Sequence, residues 1–188
     1  MSCLLTDGRV VDCRNSIGGI KAIYFHNYKD LPTQAGWTLN AGTNLVTDVQ
    51  TAAWSVYKFE IRPELCELDS TLQSSLENGT VFYEQKLTVT FHKLTALDEG
   101  VVRLLAYGRP NIFVEDNNGN VILLGARNGM HVTTGSMKSG KAFGDLSGFE
   151  LEFTGKEEEA GFFLTPSVSA SNAAYPFDGL TTDPTIVT

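Results

Sequence analysis

The chain has 188 residues, enough for one domain that buries its own core without disulfides. Its 22 acidic residues outnumber 14 basic ones, a net charge of -8 that disfavours tight nucleic-acid binding through phosphate neutralisation. Eighteen glycines and 10% aromatics, against only 19% charged residues, favour strands and turns and a surface partly covered by neighbouring protein.

Met1 to Val11 carries Asp7, Gly8 and Arg9 where a secretion signal would be apolar. The three cysteines, Cys3, Cys13 and Cys66, cannot all pair, which suits a reducing compartment. No apolar run approaches the ~18 residues of a membrane span. The expectation is a protein made and kept in a cytoplasm, or in a particle assembled there.

Ile20 to Phe25 reads as a first strand, entered through Gly18-Gly19. Trp37 to Val49 reads as two strands around the turn Asn40-Ala41-Gly42-Thr43-Asn44. In Trp54 to Arg62, Tyr57, Phe59 and Ile61 alternate with Lys58, Glu60 and Arg62, and Pro63 ends the strand. Cys66 to Leu76 repeats the alternation through Cys66, Leu68, Leu72 and Leu76, interrupted by Ser70 and Ser74. Asn78-Gly79 then fits a tight hairpin. From Val81 to His92, Val81, Tyr83, Leu87, Val89 and Phe91 share one face that only Gln85 breaks, as in an antiparallel sheet packed on one side.

The period then changes. Thr95 stands three before Asp98, as in a capping box, and Leu97, Val101, Leu104 and Leu105 follow at helical spacing until Gly108 and Pro110. This predicts one helix over about 96–107. Ile112 to Val114 and Val121 to Leu124 read as a hairpin around residues 116–120, and Met130 to Met137 and Phe149 to Phe153 as further strands. Pro166 to Thr188 has no lysine or arginine and reads as an extended C-terminal arm, or else a disordered tail, after a single domain over 1–165. The fold class expected is mainly β, an antiparallel sandwich or barrel with one inserted helix.

Catalytic and ligand motifs fail on inspection. Gly135 to Lys141 has phosphate-loop spacing, but Ala142 replaces the magnesium-holding hydroxyl, and Gly144 and Gly148 disfavour the helix that must follow. Asp116, Asn118 and Gly119 resemble part of a calcium loop, yet Val114 and Gly125 occupy the positions that need carboxylates. His26, His92 and His131 lie on separate segments, no CxxC is present, and no serine sits in a GxSxG setting. Glu157-Glu158-Glu159 reads as a solvated loop, or in a ring as part of a channel lining. No cofactor, metal or catalytic residue is expected.

Several blocks carry a resemblance. They are Cys3-Leu4, Gly8-Arg9, Cys13-Arg14 and Ile17 to Phe25; Phe82 to Thr88; Leu104 to Pro110; Val114 to Asn120; and Phe143 to Phe149 with Phe153-Thr154-Gly155. In this order they resemble a virion protein of crAss-like and related Bacteroidetes phages, over most of the chain to about Leu164. The resemblance implies a structural component of the neck or tail, and the β-sandwich with one helix also looks like the tail-tube fold. It implies a homo-oligomeric ring with a continuous inner β-surface, next to neck, tail or portal-proximal virion proteins. DNA would be only a passing cargo, and no membrane is involved.

A ring must cover its sheet edges, and long arms help to do so. The candidate interface segments are Lys29 to Ala53 and the C-terminal arm with Tyr175, Phe177, Ile186 and Val187. Arg109 and Arg127 are candidates for inter-subunit ion pairs, or else surface charges worth under ~1 kcal/mol. Trp37 and Trp54, the only tryptophans, are candidates for core or interface packing. In the alternative reading, a carbohydrate- or receptor-binding sandwich on the particle surface, they would instead form an exposed platform.

Overall fold

The computed structural model describes residue 8 and residues 13–28, 38–40, 42–49 and 53–188. The described chain is mainly β with one helix. Six strands form one sheet in the order β11-β8-β7-β1-β4-β12. These are β1 (Ile20–His26), β4 (Ser55–Glu60), β7 (Asn111–Asp116), β8 (Val121–Leu124), β11 (Phe162–Phe163) and β12 (Thr185–Val187). A second sheet has four strands in the order β5-β6-β10-β9. Its members are β5 (Glu67–Ser75), β6 (Thr80–His92), β9 (His131–Lys138) and β10 (Gly148–Glu157). A small ribbon pairs β2 (Thr38–Leu39) with β3 (Val46–Asp48), and its turn includes Asn44 at φ 55°. The hairpin expected around residues 40–44 is therefore present.

Two apolar clusters lie on opposite faces of the six-stranded sheet, and this explains its sequence. Ile23, Phe25, Ile112 and Val114 meet Leu87, Val89, Leu151 and Phe153 of the four-stranded sheet. Ala22, Tyr24 and Phe113 point the other way, with Trp54, Val56, Leu123, Phe177 and Leu180. Strands buried on both faces lose the polar alternation of a half-exposed sheet, as in β1 and β7. The four-stranded sheet is covered on one face only, so Leu87 and Val89 are buried while Lys86 is exposed.

Gln85, the one polar residue on the inner face of β6, is buried and satisfied. Its Oε1 accepts from the Gly125 amide at 2.9 Å, and its Nε2 donates to the Glu159 carbonyl at 2.9 Å. The polar break therefore ties β6 to two loops of the body.

The reading of 166–188 as an outreaching arm is corrected. Phe177 is 0% exposed, Ala174 and Leu180 are buried, and β12 adds to β4 in parallel through Ile186 opposite Val56. Asp178 accepts from the Ser167 hydroxyl and from the amides of Val168 and Ser169, which orders the start of the segment. The physical reason is the second face of the six-stranded sheet, which needs an apolar cover. A segment poor in charge supplies it. Domain and arm are one unit. The described part of the stretch 29–53 behaves likewise, with Val46 and Val49 buried in the same cluster.

The helix α1 (Ala96–Tyr107) begins where expected, with the Thr95 hydroxyl accepting from the Asp98 amide at 3.1 Å. Its apolar residues divide differently from the expectation. Val102 and Leu105 pack against the inter-sheet cluster, while Leu97 and Leu104 are exposed. Only one flank of α1 touches the body, because the helix lies over the margin of the sandwich beside β9.

Candidate assembly surface

The two sheets treat their edges differently. The six-stranded sheet ends in strands of two and three residues, β11 and β12, too short to template further pairing. The four-stranded sheet ends in β5 with nine residues and β9 with eight. Among the described residues each of these pairs on one side only, β5 with β6 and β9 with β10. Neither contains proline, so each edge keeps its unpaired amides.

Direction follows from the register. All three pairings in this sheet are antiparallel, so β5 and β9 run in opposite senses. A copy that places its β5 beside the β9 of another by rotation about a common axis therefore meets it antiparallel. An even number of strands per copy lets a closed sheet remain antiparallel throughout.

The outer face of this sheet is polar. Thr88, Thr90, Thr154, Glu150 and Glu152 alternate with the buried residues of β6 and β10. Its lysines are engaged within the chain. Lys86 pairs with Glu152 at 2.8 Å, Lys138 with Glu150, and Lys156 lies 5.5 Å from the Phe82 ring centroid. The Glu152 partner raises the Lys86 ammonium pKa, and Lys86 lowers that of Glu152. A wall of threonines and internally matched charges offers phosphates little net attraction.

The residues singled out in the sequence take several roles. Trp54 is buried in the core, with its indole N–H donating to the Thr182 carbonyl at 3.1 Å, so of its expected roles it takes core packing and not the exposed platform. Phe177 stacks edge-on to Tyr24 and Phe113 inside the same cluster. Tyr175 donates to Glu115 at 3.1 Å, and Ile186 packs on the cluster, while Val187, the other candidate in β12, is exposed. Arg109 lies 3.8 Å from the Tyr28 ring centroid and Arg127 pairs with Glu158, so both cations have partners within the chain. Trp37 lies outside the described residues. Of the eight candidates, the described ones mainly hold the C-terminal segment and two loops in place.

The phosphate-loop-like stretch is half strand and half turn. Residues 135–138 belong to β9, and the following turn closes on Asp145, which accepts from the amides of Lys141 and Ala142 at 2.9 and 2.8 Å. These bonds lower the Asp145 pKa. An internal carboxylate thus occupies the amides that an external anion would need. His26 lies in β1, His92 at the end of β6 and His131 at the start of β9, and no group of three metal-ligating side chains occurs among the described residues.

Sequence reasoning missed the free edges themselves. No signal in the residues marks them; in the structure the nine-residue β5 buries little and carries Leu72 at 52% exposure on its inner face. Beside β9 a groove of about 460 Å³ opens between this strand and α1, lined by Val102, Ala106, Val132, Gly135 and Leu151 among others. No family model, curated protein or solved structure matches the chain.

Proposed function

We propose that this protein is a structural subunit of a tailed-phage particle, forming a homo-oligomeric ring in the neck or tail around the DNA path. The observation that carries the reading is the pair of long, oppositely directed edges on one four-stranded sheet. Such edges are pairing templates, and a head-to-tail contact between two different surfaces generates a ring when the rotation closes. The ordered block resemblance to crAss-like phage virion proteins supplies the particle and the neck or tail. The polar outer face, with its lysines already matched, suits a lumen through which DNA passes without sticking. The arrangement of a polar four-stranded sheet beside one helix supports a tail-tube-like subunit.

The role is non-enzymatic, located in the virion, with neighbouring neck, tail or portal-proximal proteins as partners. A glycan platform on the particle surface has no support from Trp54, whose ring is covered. The test is sedimentation analysis and electron microscopy of the purified chain, with a search for the protein in purified particles. Ring-shaped assemblies and presence in particles are expected. A protein that stays monomeric at high concentration and is absent from particles overturns the reading.

A further inference from the structure

We propose that the groove between α1 and β9 receives Leu72 of a second copy of this chain, carried in by that copy's β5. The inference rests on the ring reading above and adds how neighbours grip one another.

Sheet continuity fixes which face meets which. Val132, Gly135 and Met137 of β9 stand opposite Phe153, Leu151 and Phe149, so they belong to the inner face, with one register shift between Glu152 and Phe153. On β5 the inner face holds Leu68 and Leu72, opposite Leu87 and Tyr83. A β5 added to β9 must present Leu72 on the side where α1 lies. Leu68 already packs on its own core, whereas Leu72 is 52% exposed and has no such cover.

The groove has a place for it. Gly135 offers no side chain, so Leu151 forms the surface there, its Cδ2 3.1 Å from where a Cβ on residue 135 would stand. Ala106 and Val102 line the helix side. Setting Leu72 opposite Gly135 also sets Asp69 opposite Lys138 on the outer face, a pairing of opposite charges.

The strand offsets agree with this register. Gly135 lies level with Val89 across β10, while Leu72 lies level with Tyr83, six positions earlier on β6. Flush placement of a second copy would leave most of β9 unpaired, since β9 lies level with Lys86–His92 and β5 with Thr80–Thr88. Six residues over four strands is a rise of about 20 Å across about 19 Å, a strand tilt of about 45°. Closed β-barrels tilt their strands by roughly 35–45°. An even offset also keeps inner residues beside inner residues.

The test is a cysteine pair at the facing outer positions, Thr71→Cys with Ser136→Cys, in a chain also carrying Cys3→Ser and Cys13→Ser. Mild oxidation is expected to link copies into a ladder on denaturing gels, while either single variant stays unlinked. Leu72→Asp, at an exposed position, is expected to raise the concentration needed for assembly at least tenfold with the thermal midpoint unchanged. Assembly into rings without cross-linking, or rings untouched by Leu72→Asp, overturns this interface and leaves the ring reading standing. Cross-linking in the Thr71→Cys single variant indicates β5–β5 pairing and also overturns it. A chain that neither assembles nor cross-links overturns both.

Discussion

The phenolic hydroxyl of Tyr175 donates to Glu115 Oε1 at 3.1 Å, so a carboxylate in the middle of the chain ties down its C-terminal segment. Tyr24 donates to the other oxygen at 3.0 Å, and Lys21 pairs with the first. Burial, then the neighbouring charge of Glu115, pushes the Tyr24 phenol far above its usual range, and the bond to Glu115 raises the Lys21 ammonium pKa. Lys21→Met removes the only cation bonded to this buried carboxylate among the described residues. The expected cost is about 1–2 kcal/mol, discounted because the lysine is half-exposed, and urea unfolding measures it.

Phe177 anchors the same segment from the apolar side. Truncation to alanine leaves a cavity among Tyr24, Trp54 and Phe113 and is expected to cost about 3–5 kcal/mol. Deleting residues 166–188 is expected to expose one face of the six-stranded sheet and to give aggregated protein. A soluble, cooperatively melting truncation would show that the segment is a detachable arm.

Glu157 predicts a pH dependence. Its Oε1 accepts from the amides of Arg127 and Asn128, while Oε2 is buried without a hydrogen-bond partner in the described structure. Burial raises its pKa, so the folded chain holds this proton more tightly than the unfolded chain. The stability from this group is fully present below the ordinary glutamate value of about 4.5 and is lost as pH rises through the raised value. Thermal melts of wild type and Glu157→Gln from pH 4 upward should therefore diverge in the variant's favour. A constant difference across that range would contradict the assignment.

The helix cap offers a local test. Thr95→Ala removes the acceptor for the Asp98 amide and is expected to destabilise the chain by about 1 kcal/mol, read from the denaturant midpoint. Leu104→Gln, on the exposed side of α1, should leave the isolated subunit within about 0.5 kcal/mol of wild type.

The sequence by itself determined the local elements. Alternation from Val81 to Phe91 marked one of the two central strands of the four-stranded sheet, Thr95 and Gly108 bounded the helix, and Asn78-Gly79 marked the turn between β5 and β6. Those signals are short-range, because side-chain periodicity and turn chemistry act within a few residues. What covers a face is a long-range matter. Only the tertiary structure placed Phe177 and Trp54 in one core, 123 positions apart, and turned an apparent arm into the cover of a sheet. It alone left β5 and β9 paired on one side only among the described residues, while giving the other sheet short edges. A strand's own residues do not record whether a partner lies beside it, since backbone amides are the same in every strand.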